Sequence, residues 1–517
     1  GGPGAAAAAR RRRPGGASGR RQPRAGVLPP APGASSMDAA GAGRALGRAT
    51  SALGRLCTGG TERVVGALRE AAVLARLTVT LAGHLAAAPG KRWVLMALRL
   101  AVFSLLLLPG FVQVAFWYLF SRNVRRGVRY SPHPRNSADV YLPRRAPERK
   151  GRGGAPPAPA PAVVFVTGGA WIIGHRAWGA LLGRTLSALG LVVACLDYRN
   201  FPQGGVLDMV EDVEAGLEWV LSNVHLYGGD PRNVHVVGQS AGAHLVALTL
   251  LRRAATANGR AKELGGLGAG RKDRARIGWE PGDLRTFIGL SGGYHLPVVA
   301  EHLHRRGLYK PLFDAIMSGG RLEEFSPALL VAREPFLADG LAGCRSRGAQ
   351  ETTPRSPSPR LRWEDIGSSS SRGDSPWTPL GVSPWTPKSA KGALKGARGT
   401  PTPVPSPSPC VQCLPRVLLL HGTADKSMPC SQSLEFAEAL RQAGALVEVT
   451  LYSGETHTTP LIENPMRGGV DQLTQDIWRV LAGAGGSGEA APPRGLPRPR
   501  GLVPEALASL ATFVSPF

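Results

Sequence analysis

The chain has 517 residues, 43% of them apolar, which suffices for one large domain with appendages or for two or three modest domains. Its formal net charge of +26 is extreme. So large a positive charge is typical of proteins that bind nucleic acid or an anionic membrane surface, or that have disordered basic tails. Part of the charge lies in a tail, and we find no basic face interleaved with aromatic residues, so we do not expect nucleic-acid binding.

The N-terminus is basic and of low complexity. Residues 1–36 hold seven arginines and no acidic residue among Ala, Gly and Pro, a composition that cannot bury a core. We therefore predict a disordered Ala/Gly/Arg-rich segment over residues 1–90. The first methionine is Met37, so we interpret the residues before it as sequence upstream of the translation start. An apolar patch at 71–88 is a weak candidate for a further helix.

An uncharged run of 21 residues extends from Leu100 to Phe120. About 20 apolar residues span a bilayer core as a helix, and aromatic residues near one end favour the interface. We predict a membrane segment over 91–122 with a transmembrane helix and membrane lipid as a partner. Basic residues flank both ends, so orientation stays open. The alternative is a buried or interfacial helix, with a break at Pro109 and Gly110.

Beyond residue 160, short β-branched runs alternate with amphipathic helical stretches. This pattern predicts a mostly parallel central sheet with helices on both faces, and the loops at the carboxyl ends of its strands build the active site. The predicted strands are 162–166, 191–198, 234–237, 286–292, 417–422 and 447–454, and the clearest helices are 208–224 and 431–445.

Two stretches interrupt this alternation. Residues 337–413 are rich in Ser, Pro, Gly and Arg and contain the repeats SPWTPL and SPWTPK, and residues 484–503 are similar in composition. We interpret the first as a low-complexity insertion or as unspliced sequence carried into the chain. The predicted organisation is therefore as follows: basic N-terminus 1–90, membrane segment 91–122, catalytic domain 123–336 and 414–483 with insertion 337–413, and C-terminal extension 484–517.

The stretch Gly238-Gln239-Ser240-Ala241-Gly242 matches G-x-S-x-G between a predicted strand and a predicted helix. Small neighbours suit a sharp strand-to-helix turn that lifts a serine hydroxyl out of the sheet, as in the nucleophile elbow of α/β-hydrolases. A bare G-x-S-x-G often occurs by chance, and its context here makes Ser240 the candidate nucleophile.

A serine hydroxyl needs a base, and that base needs an orienting carboxylate. In the α/β-hydrolase order of Ser, Asp and His, Asp425 follows the strand 417–422 and His457 follows the strand 447–454. Alone, Asp425 could be a turn former and His457 an ordinary loop histidine. Their joint order and placement favour a triad with Ser240, and His244 and His421 fit less well.

A tetrahedral intermediate also needs hydrogen-bond donors for its oxyanion. Gly168-Gly169-Ala170 follows the strand 162–166 and resembles the His-Gly-Gly-Gly motif of hormone-sensitive-lipase-like esterases, with Thr167 in place of His. By that alignment the backbone N–H groups of Gly169 and Ala170 would donate, together with that of Ala241. The alternative is a plain glycine turn.

With these residues in place, the chain resembles the plant-type isoprenylcysteine α-carbonyl methylesterases, which are α/β-hydrolases. The resemblance covers about 105–336 and 414–483, and Thr167 agrees with the family. It depends on long stretches: PGFVQVAFWYLFSRNVRRGVRY, VFVTGGAWIIGHRAWGALLG, DYRNFPQG, YGGDPRNVHVVGQSAGAHL, SGGYHL, HRRGLY, FSPALL, YSGETHT and NPMRGG. The departures are the basic N-terminus, the insertion and the C-terminal extension.

The resemblance implies hydrolysis of the methyl ester of a C-terminal prenylated cysteine, at endoplasmic reticulum and Golgi membranes. It implies Ser240, Asp425 and His457 as the triad, and neither a metal nor an organic cofactor. The substrate would be a prenylcysteine methyl ester, on a protein or as a small molecule. An apolar groove is expected for the lipid; Trp171 and Trp178 are candidates for its wall, with core packing as the alternative.

Two other functions stay open from the sequence. One is a broad-specificity carboxylesterase or an arylformamidase of the same fold, which would act on soluble substrates and would not need the apolar segment. The other is a non-catalytic, membrane-anchored α/β-hydrolase that only binds. The complete Ser, Asp and His set argues against the second. The sequence does not set the oligomeric state.

Overall fold

The computed structural model describes residue 72 and residues 92–143, 158–268, 278–306, 310–333, 408–469, 471–483 and 500–517. The predicted basic N-terminus and nearly all of the candidate helix at 71–88 lie outside these residues. So do residues 337–407 of the predicted insertion and residues 484–499 of the C-terminal extension.

The core of the described chain is an eight-stranded sheet in the order β1-β2-β4-β3-β5-β6-β7-β8. The six strands from β3 to β8 pair in parallel, whereas β2 pairs antiparallel with β1 and β4. This confirms the predicted mostly parallel sheet. The strands are β1 Val124–Arg129, β2 Ser137–Tyr141, β3 Ala160–Val166, β4 Val192–Leu196, β5 Gly229–Gln239, β6 Thr286–Leu290, β7 Arg416–Gly422 and β8 Val447–Tyr452.

Helices cover both faces of the sheet, as predicted. Successive residues of β3 alternate between two core layers, because side chains of a strand point to opposite faces. The helices are α1 Arg92–Leu106, α2 Leu108–Phe120, α3 Ala180–Ala188, α4 Val206–Asn223, α5 Ala241–Ala257, α6 Leu296–Arg305, α7 Lys310–Ile316, α8 Pro327–Val331, α9 Pro409–Gln412, α10 Ser431–Gln442, α11 Glu463–Arg467, α12 Gln472–Gly483 and α13 Glu505–Val514. One layer holds α4, α5 and α10, and the other holds α1, α2, α3 and α11 to α13.

The apolar run 100–120 forms two helices rather than the single membrane helix that was predicted. The helices α1 and α2 meet at Leu107, and the part of α1 from Ala97 is bent by 69° from α2. Pro109 lies in the first turn of α2, where its missing N–H and its ring prevent one continuous helix. Of the described helices, none alone has the length and apolarity to cross a bilayer, and this bent pair reaches them only jointly.

The two predicted low-complexity stretches, 337–413 and 484–503, were predicted to continue too far at their C-terminal ends. The insertion was predicted to end at residue 413, but α9 begins at Pro409, and Cys410 and Val411 are buried in the core. Leu502 and Val503 were assigned to the stretch 484–503, yet both side chains are buried against the layer that contains α2. The surrounding Ser and Pro residues concealed these short apolar contacts.

The strands β1 and β2 were not predicted, and they carry a buried ion network. Arg176 donates from Nε to Asp139 Oδ1 at 2.9 Å and from Nη1 to Asp197 Oδ2 at 3.2 Å. Arg135 Nη2 donates to the other oxygen of Asp197 at 2.8 Å and to the carbonyl of Gly174 at 2.6 Å. The network therefore fixes β2 to β4 and anchors the loop that follows β3.

Candidate active site

Ser240 occupies a sharp turn between β5 and α5. Its backbone has φ 54° and ψ −121°, which a side chain other than glycine rarely adopts. A Cβ atom on Gly242 would lie 2.1 Å from the carbonyl oxygen of Val166, and one on Gly238 would lie 2.6 Å from Cα of Ala243. Both flanking positions must therefore be glycine, which is the physical reason for the G-x-S-x-G pattern.

Asp425 and His457 lie together in the loops that follow β7 and β8. The Nδ1–H of His457 donates to Oδ2 of Asp425 at 2.6 Å, and both side chains are buried. The other carboxylate oxygen, Oδ1, accepts from the backbone N–H groups of Ser427 and Met428, each at 2.8 Å. The Asp425 carboxylate is thus held in place by two backbone N–H groups of the turn in which it lies, and it holds the imidazole of His457 by one short hydrogen bond.

A second histidine, His421, also contacts this carboxylate and was not predicted to do so. Its Nε2–H donates to the carbonyl of Met428 at 2.8 Å and lies 3.3 Å from Oδ2 of Asp425, while Ser433 Oγ lies 2.8 Å from its Nδ1. Burial raises the pKa of Asp425, but the charge of His457 and the hydrogen bonds from the two histidines outweigh it. The pKa is held well below its usual range, so Asp425 is ionised at neutral pH.

Gln239 connects the imidazole to the loop after β3. Its side-chain oxygen accepts from the N–H of Gly168 at 3.1 Å, and its Nε2 lies 3.3 Å from Nε2 of His457. Since the oxygen is engaged by Gly168, the amide nitrogen faces His457 and donates to it. His457 Nε2 is then the acceptor and Nδ1 carries the proton, which agrees with the bond to Asp425.

The loop after β3 lies over the serine turn. Gly169, Ala170 and Trp171 have φ values of 124°, 50° and 62°, and a Cβ atom on Gly168 would lie 2.9 Å from Cβ of Ser240. Three successive positive φ values turn the loop sharply, and the carbonyl of Gly169 accepts from the N–H groups of Ile172 and Ile173, each at 2.9 Å. Ala241 begins α5, and the N–H groups of a first helical turn point out of the helix. Gly168 therefore lies against Ser240 and Ala241 follows it directly, while the role of Gly169, Ala170 and Ala241 as oxyanion donors stays a prediction.

Trp171 belongs to the core rather than to the wall of a groove. Its side chain is 1% exposed, packs edge-on against Phe313 and His244, and donates from Nε1 to His244 Nδ1 at 3.2 Å. His244 in turn donates from Nε2 to the carbonyl of Phe325 at 2.8 Å. This chain of contacts braces the loop from beneath. Trp178 is 55% exposed.

Glu463 is a buried carboxyl group close to the His457 loop. Its side chain is fully buried, and Oε1 accepts from Thr458 Oγ1 at 3.0 Å; within the described chain, Oε2 has no hydrogen-bond partner. Burial raises its pKa to about 7, and this rise exceeds the opposing effects of Thr458 and Arg467. Sequence reasoning missed this group because nothing in NPMRGG indicates that the preceding Glu is buried.

We expect Glu463→Gln to stabilise the protein above pH 7. Between about pH 4.5 and 7 the folded state keeps a proton that the unfolded state has lost, so stability falls as pH rises through this window. Urea unfolding should give similar stabilities at pH 4.5 and a gain of roughly 3 kcal/mol for the variant at pH 8. Glu301→Gln, at an exposed site, should not change the pH dependence. An unchanged slope in Glu463→Gln would contradict the raised pKa, because Glu463 would then titrate alike in the folded and unfolded states.

The described residues contain no group of three or more His, Cys, Asp or Glu side chains that could hold a metal ion. The chemistry available at this edge of the sheet consists of a hydroxyl, an imidazole with an unprotonated Nε2, an ionised carboxylate and a set of backbone N–H groups. This combination suits nucleophilic attack on an acyl group.

Two family models match parts of the chain: BD-FAE over residues 152–265 and the prolyl oligopeptidase family over residues 404–474. Among solved structures, apo esterase 2 of Thermogutta terrifontis has a TM-score of 0.38 at 18% identity, covering 69% of this chain and 90% of that one. An inhibited esterase B from Lactobacillus rhamnosis has a TM-score of 0.44 at 14% identity, covering 75% and 96%.

Curated relatives cover much more of the sequence at higher identity. The isoprenylcysteine alpha-carbonyl methylesterase of Arabidopsis thaliana is 37% identical over 83% of this chain and 78% of its own length. A probable isoprenylcysteine alpha-carbonyl methylesterase of Oryza sativa subsp. japonica is 37% identical over 87% of this chain and 84% of its own length. With its sheet topology and this identity along most of both chains, the protein belongs to the isoprenylcysteine alpha-carbonyl methylesterase family of α/β-hydrolases and is a carboxylic ester hydrolase.

Proposed function

We propose that the protein is a membrane-held serine esterase that hydrolyses the methyl ester of a C-terminal isoprenylcysteine through Ser240, Asp425 and His457. The observation that carries the proposal is the 2.6 Å bond between His457 Nδ1 and Asp425 Oδ2 beside the strained serine turn. The names of the relatives, which are isoprenylcysteine methylesterases, supply the substrate class.

In the first half of the reaction, His457 Nε2 takes the proton of Ser240 while Oγ forms a bond to the ester carbonyl carbon. His457 Nε2 faces Gln239 in this structure, so the imidazole must turn from that amide to the serine hydroxyl. The N–H groups of Gly169, Ala170 and Ala241 stabilise the oxyanion. The bond to the methoxy oxygen then breaks, and this oxygen takes the proton from His457 and leaves as methanol.

In the second half, water gives a proton to His457 Nε2 and attacks the acyl carbon. The bond to Ser240 Oγ breaks, Oγ recovers the proton from His457, and the prenylcysteine leaves as a carboxylic acid that loses its remaining proton to solvent. Asp425 remains ionised throughout, because its pKa is held well below the usual range. Its negative charge stabilises the imidazolium that forms in each half.

Membrane attachment suits this substrate, since a farnesyl or geranylgeranyl chain partitions into bilayers. The apolar helices α1 and α2 precede the catalytic domain and support such attachment. The family resemblance suggests endoplasmic reticulum and Golgi membranes as the location, which fractionation of cells that express the full chain would test.

The deciding experiment measures methanol release from farnesylcysteine methyl ester by membranes that contain the full chain. A short acyl ester serves as the comparison substrate, and Ser240→Ala membranes serve as the control. We expect preferred turnover of the prenyl substrate, abolished in the variant. Turnover of the short ester alone would overturn the substrate class and indicate a broad carboxylesterase. If the wild-type chain turned over neither ester, the result would indicate a binding protein.

A further inference from the structure

The helices α1, α2 and α13 expose large apolar side chains on the side that faces away from the sheet. In α2, Gly110, Val114 and Tyr118 are buried on the domain side, whereas Val112 and Phe116 on the other side are exposed. The exposed fractions of Leu105, Phe116 and Phe513 are 67%, 65% and 81%. We call these outer sides the three-helix face; Leu98 and Leu100 of α1, Phe120 of α2 and Leu510 of α13 are further exposed large side chains on these helices.

The three helices are fixed to the domain and to each other. Tyr118 donates to Asp139 Oδ2 at 2.7 Å, which ties α2 to β2. Arg99 of α1 donates to the carbonyls of Val514 and Ser515 at 3.1 and 3.3 Å, which ties α1 to the end of α13. Because the domain covers one side of each helix, only the other sides are open to contact with another phase.

The charge beside this layer is positive. From residue 92 to residue 138 the sequence contains no Asp or Glu, and the exposed Arg122, Arg125 and Arg129 follow directly after α2. Arg122 and Arg125 line the same concavity as Phe116 and Phe120. An apolar stripe bordered by arginines is complementary to anionic phospholipid, whose headgroups attract the cations while the acyl region accepts the apolar groups.

The three-helix face also lies next to the catalytic loops. Gln113 of α2 donates to the carbonyl of Leu502 at 2.8 Å, and the Leu502 N–H donates to the carbonyl of Met466 in α11, which follows the His457 loop. On the other side, Arg306 at the end of α6 donates to the carbonyl of Pro516 at 2.7 Å. The segment that carries α13 is therefore bonded to α11, which follows the His457 loop, and to the end of α6.

We propose that the three-helix face lies in the plane of an anionic phospholipid bilayer and docks the enzyme there without crossing it, with α13 as an integral part. Each helix is covered by the domain on one side and exposes apolar side chains elsewhere, as expected for helices that lie at an interface rather than across it. The docked face brings the loops of Asp425 and His457 close to the membrane surface. This deepens the membrane attachment in the proposed function but does not depend on the ester chemistry.

The test measures binding of the full chain to vesicles of neutral phosphatidylcholine, with or without anionic phosphatidylserine, by flotation and in the absence of substrate. We expect the double variant Leu510→Asp, Phe513→Asp to bind anionic vesicles roughly 100-fold more weakly, because two exposed apolar side chains that enter the bilayer on docking are replaced by anions. Leu446→Asp changes an 80% exposed leucine outside the face and should bind like the wild type. Unfolding midpoints of all three proteins verify that they are folded.

Charge is tested separately by Arg122→Glu with Arg125→Glu, which should reduce binding to anionic vesicles at low salt but not to neutral ones. Arg441→Glu, on an exposed position of α10, is the control. Equal vesicle binding by the α13 double variant and the wild type would overturn the proposal. If that variant also lost a dimer that the wild type forms, the exposed side chains of α13 would be a contact between two copies of the chain instead. Vesicle binding without prenyl ester turnover would instead refute the proposed substrate and leave the docking surface intact.

Discussion

Replacing Ser240 by alanine should lower ester turnover by about five orders of magnitude while leaving the protein folded. The serine Oγ is the atom that bonds to the acyl carbon in the proposed reaction, and His457 alone provides no comparable nucleophile. The backbone strain at φ 54° is shared by serine and alanine, because both carry a Cβ atom. We therefore expect the stability to change by less than about 1 kcal/mol.

Rates with a short soluble ester and labelling by a serine-reactive fluorophosphonate measure this effect. Ser187→Ala is the matched control, since Ser187 is also a buried serine but lies at the end of α3 with its hydroxyl bonded to the carbonyl of Arg184. Labelling and turnover should disappear together in Ser240→Ala and persist in Ser187→Ala. Labelling that survives in Ser240→Ala would place the nucleophile on another side chain.

The alternation of β-branched runs and amphipathic stretches predicted the parallel part of the fold well. The predicted helix 208–224 and the observed α4, Val206–Asn223, nearly coincide because a whole helical face packs against the sheet. By contrast, β1 has the sequence VRRGVR, in which no apolar alternation signals a strand. Its position is determined by pairing with β2, which is a long-range contact that the local sequence does not reveal.

The same division applies to the site. The placement of Ser240, Asp425 and His457 at one edge could be predicted, because each follows a strand and the carboxyl ends of parallel strands meet there. Gln239 and His421 could not, because their roles depend on side-chain direction in the folded chain. Gln239 reaches a histidine that is 218 positions away in sequence.

The contacts around His457 form a continuous path between the catalytic loop and the proposed membrane face. Thr458 bonds the buried Glu463 at the start of α11, and Arg467 at the end of α11 bonds Thr512 of α13 at 2.9 Å. A short helix therefore separates the imidazole from the proposed lipid-contacting layer. This helix connects the proposed bilayer contacts to the loop of His457.

Replacing Asp425 by asparagine should lower kcat by about 10⁴-fold with little change in fold. The asparagine oxygen would keep the two bonds from the N–H groups of Ser427 and Met428, since these belong to the same turn. Its NH₂ group would then face His457 Nδ1 and donate to it. Because Nδ1 would become an acceptor, the imidazole proton would move to Nε2, and Nε2 could no longer take the proton of Ser240.

This effect should be nearly constant from neutral to mildly alkaline pH, because the wild-type carboxylate is ionised throughout that range. Asp314→Asn removes an exposed carboxylate that pairs with Lys310 and is the matched control. Fluorophosphonate labelling of Asp425→Asn should slow in parallel with kcat, since both reactions need the same proton transfer. If Asp425→Asn keeps full turnover, the 2.6 Å hydrogen bond between His457 and Asp425 only holds the side chain of His457 in place. The carboxylate would then not be needed for proton transfer.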